Sequence, residues 1–180
     1  PELISTGFLI LVLMVGVYTG SNAGVAAGLS AIGTLAVFGS AAVLLATGFS
    51  GSYFGGGFVV DGFALYFKLI VAGAAFFAVL AAARWSGQTG DAPEYLTLIL
   101  SIVLGSTLLV SMRDLFGIFL SIELATIPSY AMVAFDRSRR ESAEGGMKYL
   151  ITGVIASSVL LYGIVLIYGV SGSAMLQDVA

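Results

Sequence analysis

The sequence contains no cysteine and no histidine. That removes the ligands that hold iron–sulfur clusters and haem, and the commonest ligands of zinc and copper, so redox chemistry is not expected on this chain. Charge is scarce as well. Seven basic and ten acidic residues make up 9% of the 180 residues, whereas a soluble domain carries about a quarter. So few charges, several of them clustered in one short loop, cannot clothe a soluble core in polar side chains. The net charge of −3 has no basic stripe behind it, which argues against nucleic acid as a partner. A basic segment ahead of Leu3–Tyr18 and a small-residue cleavage site after it are both missing, so that stretch is expected to stay as a membrane span rather than be removed as a signal peptide.

What is present is apolar: 59% of the residues are hydrophobic. A helix needs roughly 20 apolar residues to cross about 30 Å of hydrocarbon. Six such runs are predicted near residues 2–19, 24–48, 59–83, 95–112, 115–135 and 147–169, with residues 1–180 forming one transmembrane domain. Polar punctuation separates them at Ser21-Asn22, Gly51 to Gly57, Ser86 to Pro93, Arg113-Asp114 and Asp136 to Gly146. Strands of a membrane barrel would alternate apolar and polar residues, and these runs are apolar all round, so the expected fold is an all-α polytopic helix bundle. Arg84, Arg137, Arg139 and Arg140 fall on one side of it and Arg113 on the other, which predicts an N-terminus outside the cytoplasm and the 136–146 loop inside.

Small residues recur at helix-packing spacing at Gly24 and Gly28, at Gly153 and Ser157, and at Gly145-Gly146. Gly51, Gly55, Gly56 and Gly57 read as a flexible loop; a phosphate cradle would need a Lys-Ser/Thr that does not follow.

The informative residues are the ionisable groups within apolar runs. Glu123 falls near the middle of the fifth run, with no basic residue within a helical turn. A carboxylate at that depth costs at least about 2.5 kcal/mol, so it calls for a reason to persist. One reading is a proton-binding group; the other is a protonated, hydrogen-bonded helix contact. Pro128, five residues on, cannot donate to the carbonyl of Leu124, and either a water-admitting kink or an ordinary membrane-helix proline would result. Lys148 opens the sixth run. It either reaches the interface or pairs with Glu144 one turn earlier, or it faces the bundle as a protonatable partner in a relay. Lys68, in the third run, is expected to reach outward to the membrane surface, and Asp61 to cap that helix. Asp136 to Glu141 reads as a solvated loop and topology signal.

The stretch Asp114-Leu-Phe-Gly-Ile-Phe-Leu-Ser-Ile-Glu123-Leu-Ala-Thr-Ile-Pro-Ser-Tyr130-Ala, then Glu141-Ser-Ala-Glu144-Gly-Gly-Met-Lys148-Tyr-Leu-Ile-Thr-Gly153, then Leu-Tyr-Gly163 and Ile-Tyr-Gly169, resembles the subunit N family of the proton-pumping NADH-quinone oxidoreductase, respiratory complex I. A weaker likeness covers Val60-Asp61-Gly-Phe to Phe67-Lys68, and the wider family includes the Mrp-type antiporter subunits. The resemblance implies that Glu123 is the membrane glutamate of a proton path and that Lys148, opening the sixth helix, works with it. It also implies a bacterial plasma-membrane subunit that carries no cofactor, with NADH and quinone used elsewhere in the complex, and other membrane subunits and the lipid bilayer as partners. Family members are longer, with inverted repeats and broken helices bearing further lysines, so the chain is expected to be the N-terminal part of such a subunit. A sodium/proton antiporter subunit of the Mrp type and a structural membrane scaffold are the alternatives.

Overall fold

The computed structural model describes residues 1–19, 22–86 and 91–179. Six long helices run in order: α1 (Glu2–Thr19), α2 (Ala23–Ala46), α3 (Gly62–Ser86), α4 (Ala92–Leu109), α5 (Leu115–Val133) and α6 (Arg140–Ser171), followed by a short α7 (Leu176–Val179). Five of them, α2 to α6, are long and apolar enough to cross a membrane, and α1 is a slightly shorter apolar helix. With neither a broad polar face nor a soluble-type core, most of their large side chains point outward, Leu3, Phe63, Phe77 and Val170 among them. That is the pattern of helices whose solvent is lipid.

Packing is set by small and branched residues. Helices α1 to α4 form a four-helix group, α5 packs on α4, and α6 packs on α5. One core cluster joins Val12, Ala26, Val79, Ala82, Leu96, Ile99 and Leu100 from the first four helices; a second joins Ala41 and Leu65 to Val60. Gly33 admits the ring of Phe8 where α1 meets α2: a Cβ on it would stand 2.7 Å from that ring.

Helix bounds depart from the sequence expectation where local chemistry decides. Helix α2 stops at Ala46, with Gly48 in the left-handed region just beyond. Helix α3 starts at Gly62 because Asp61 caps it, accepting from the Ala64 amide at 2.8 Å, as expected of that residue. Helix α4 starts at Ala92, with Pro93 in the first turn where a missing N–H costs nothing. Helix α6 starts at Arg140, so most of the expected 136–146 loop is helical: Glu141 favours the first turn and the Ser142 hydroxyl donates to the Val133 carbonyl at 2.7 Å, tying the start of α6 to the end of α5. Ser21 and 87–90 of the expected breaks lie outside the described residues.

Three expectations are corrected. The glycine-rich 51–57 segment is ordered: β1 (Gly51–Tyr53) pairs antiparallel with β2 (Phe58–Val60) across a tight turn in which Gly55 and Gly56 take positive φ. Lys68 does not reach outward. It occupies the inward stripe of α3 that runs Leu65, Lys68, Ala72, Ala75, Val79, Ala82, and it is 0% exposed. Gly24 and Gly28 meet no neighbouring helix; the small-residue contacts lie elsewhere.

One end of the bundle is sewn together by backbone. Val59 donates to the Ser111 carbonyl and Arg113 to the Gly57 carbonyl, both at 2.8 Å, while Leu115 and Leu176 exchange bonds with Ala174 and Arg113 at 2.9 Å. The hairpin, the α4–α5 link and the chain leaving α6 thus share one extended ribbon. The opposite end holds Asp136 to Arg140 and the start of α4, where the Tyr95 and Phe135 rings meet edge to face at 4.9 Å.

Candidate functional site

Glu123 is the ninth residue of the nineteen in α5, halfway along a helix long enough to span the bilayer. Its surroundings follow from which residues of α5 touch which neighbour. The α4 side is fixed by Gly105, whose missing side chain lets the backbone of Ser121, Leu124 and Ala125 come against it. The α6 side is fixed by Phe116, whose ring lies 5.7 Å from that of Tyr168, by Tyr130, whose phenol rests on Gly153, and by Ala134, which rests on Gly146. Glu123 is seven residues from both Phe116 and Tyr130, so it shares their face and looks toward α6, in the stretch around Ser157 to Leu161.

Half-buried in this seam, Glu123 has one carboxyl oxygen, Oε1, fully shielded and without a hydrogen-bond partner. Among the described residues no ion pair engages it; Thr126 donates only to its backbone carbonyl, at 3.5 Å. A shielded carboxyl oxygen with nothing to bond is costly as an anion, and a proton, a water or a cation would relieve it. Helix α5 runs on through Pro128, which is buried against α4.

Lys148 is placed differently. The α5-facing stripe of α6 is Gly146, Gly153, Ser157 and Ile164, and Lys148 lies on the opposite side, 74% exposed and paired with Glu144 at 2.6 Å. The pairing with Glu144 expected as one of its readings is present. Antiparallel packing puts Lys148 level with the last turn of α5, roughly 10–15 Å along the axis from Glu123 at 1.5 Å per residue. The two groups share a helix pair and do not meet.

Sequence reasoning passed over one acidic group. Glu2, at the first turn of α1, has its carboxylate 2.6 Å from the Lys68 ammonium, which also lies 5.4 Å from the centre of the Phe58 ring. The stripe spacing of Lys68 was the available signal: a lysine in register with the inward residues of α3 needs an acid on a neighbour.

The comparisons with known proteins agree with this architecture. Residues 112–180 match the family described as NADH:quinone oxidoreductase/Mrp antiporter, TM. The NADH-quinone oxidoreductase subunit N of Rubrobacter xylanophilus is 71% identical over the whole chain. The chain belongs to the NADH-quinone oxidoreductase subunit N family. Another member, from Sphingopyxis alaskensis, is 38% identical, again over all of the chain. The chain spans only 38% and 37% of the length of these two relatives. Among solved structures, a chain of respiratory complex I from Thermus thermophilus with bound aureothin superposes with a TM-score of 0.82 at 26% identity, over 97% of this chain and 38% of that one. A chain of an archaeal membrane-bound sulfane sulfur reductase shares the fold, with a TM-score of 0.75 at 24% identity, over 99% of this chain and 39% of that one. The protein is a multi-pass membrane protein with the antiporter-like fold of the family.

Proposed function

We propose that the chain is part of a proton-translocating membrane subunit of a bacterial NADH-quinone oxidoreductase. In this reading NADH and quinone react on other subunits and this chain handles protons, seated against neighbouring membrane subunits and lipid. The observation that carries it is the shielded, unpartnered oxygen of Glu123 at mid-helix between α5 and α6. A cation brought near that carboxyl holds it ionised, and withdrawal of the cation lets it take a proton. Charge movements elsewhere in the complex would drive the two states in turn. Lys148 then acts at a distance, by exchanging Glu144 for another partner, rather than by touching Glu123. The arginines of the 136–140 segment and Arg84 favour the cytoplasmic side for that end and the opposite side for the hairpin. In this reading the chain is the N-terminal part of a longer subunit, in keeping with its spanning 38% of the Rubrobacter relative.

The test is Glu123→Gln in the assembled complex, in sealed vesicles. Electron transfer should persist with a lower proton-per-electron ratio; a wild-type ratio would sink the assignment and leave Glu123 as a helix contact in a scaffold. The matching family also covers Mrp antiporters, which supports one second reading, sodium/proton exchange. Sodium-stimulated proton movement without NADH would favour it.

A further inference from the structure

An apolar trough of about 650 Å³ runs along the outside of the bundle where α3 and α4 meet. Its walls are Val71 to Ala82 on α3 and Tyr95 to Ser106 on α4, with Met132 of α5 beside them. Five of the six α3 side chains on that wall are alanine, and methyl groups are too short to fill the space between the helices. Each wall covers eleven residue steps, roughly 16 Å at 1.5 Å per residue. One leaflet of the hydrocarbon core is about 15 Å deep. The trough therefore reaches from the arginine-bearing end of the bundle to mid-membrane, ending beside Ser106. Spread over that length, the volume gives a section of roughly 40 Å², about half of what a helix some 10 Å across needs. A flexible hydrocarbon chain fits that section, and a helix does not.

At its mouth the trough meets a polar cavity of about 410 Å³, with Tyr95 and Met132 lining both. This cavity adds Asp136, Arg139, Glu141 and Ser142. The Ser142 hydroxyl is committed to the Val133 carbonyl. Asp136 accepts from the Ser138 amide and hydroxyl through Oδ1, at 3.1 and 2.6 Å, and its Oδ2 takes part in neither bond. Arg139 stands 4.0 Å from Glu141, and both are largely exposed. One guanidinium and two carboxylates at the rim of an apolar trough match a head group that carries both signs, its phosphate on Arg139 and its ammonium on Asp136 and Glu141. A purely anionic head would face two carboxylates for one cation.

We propose that α3, α4 and the 136–142 segment form a binding site for a zwitterionic aminophospholipid, phosphatidylethanolamine, with one acyl chain in the trough and the head group in the polar cavity. The bound lipid ties the α3–α4 pair to the link between α5 and α6.

The test uses the full-length subunit in its complex, reconstituted in phosphatidylcholine vesicles. These carry a trace of phosphatidylethanolamine with a photoactivatable group at the end of one acyl chain. On irradiation the label should fall on peptides carrying Val71 and Ser106. It should do so at least about threefold more than from phosphatidylglycerol or phosphatidylcholine bearing the same chain, the worth of one exposed ion pair. Ala78→Phe, which fills the trough from an exposed position, should abolish the labelling. Asp136→Asn/Glu141→Gln alters only the rim and should erase the preference for phosphatidylethanolamine, which keeps the site testable where Ala78→Phe fails to assemble. No label on either wall would mean that protein fills the trough. Equal labelling by the three lipids would mean bulk bilayer only, and stronger labelling by phosphatidylglycerol a site for anionic lipid. Each of these results overturns the proposal. None of the readouts involves pumping, so the lipid site stands or falls apart from Glu123.

Discussion

Gly105 of α4 and Ala125 of α5 touch backbone to backbone: a Cβ on Gly105 would stand 2.6 Å from the Ala125 amide nitrogen. The contact sets the rotation of α5, and with it the face on which Glu123 is carried. Gly105→Ala should therefore push α5 off α4, at a cost of about 1–3 kcal/mol typical of overpacking. The loss is to be read from thermal unfolding of the detergent-solubilised protein, with Gly39→Ala, where nothing lies within 4 Å, as the tolerant control.

Tyr130 seals the α5–α6 seam below Glu123 by laying its phenol over Gly153 and its ring edge-to-face on Tyr149 at 4.8 Å. The hydroxyl is the atom closest to the position of a new Cβ. Gly153→Ala should destabilise the wild-type background and do so by less in Tyr130→Phe, a coupling of about 0.5–3 kcal/mol between contacting sites. Additive losses would show that the hydroxyl is not the obstacle.

Removing the Lys68 ammonium leaves the Glu2 carboxylate only the Pro1 ammonium, 3.7 Å away. Lys68→Met alone should cost on the order of 3 kcal/mol or more, and Glu2→Gln/Lys68→Met should recover most of that stability. The comparison needs only melting curves of the three proteins. A double variant as weak as the single one would mean that packing of the Lys68 stem, rather than its charge, holds α1 to α3.

At the hairpin end Asp61 has two tasks, capping α3 and pairing with Arg113. Partly exposed ion pairs contribute about 0–1 kcal/mol and a lost cap about 1 kcal/mol. Asp61→Ala should thus destabilise more than Arg113→Ala, while Asp61→Asn, which keeps a capping oxygen, should fall between them.

The helices were legible because apolar length alone dictates them, and Glu123 because a carboxyl in mid-span is conspicuous against such a background. Caps and first turns were harder. Arg140 to Glu144 are polar enough to pass for loop, yet they begin α6 because Ser142 can bond back to Val133. The glycines of 51–57 suggested slack, whereas their positive φ angles build a hairpin turn. Lys68 was misjudged because reaching outward is the default for a lysine near a helix end; the decisive fact, an acid on α1 at its level, is a tertiary one. The separation of Lys148 from Glu123 likewise needed the antiparallel register of α5 and α6, which nothing in either run specifies.

The ribbon that joins the hairpin to residues 111–115 and 174–176 is made of main-chain bonds, which survive any change of side chain except to proline. It pins α5 and α6 to the first four helices at one end, whereas their other end is fastened to α4 by side chains such as Tyr95 and Phe135. If the α5–α6 pair rocks, its fulcrum is this ribbon and its widest sweep is at the arginine-bearing end, with Glu123 travelling about half as far as Lys148.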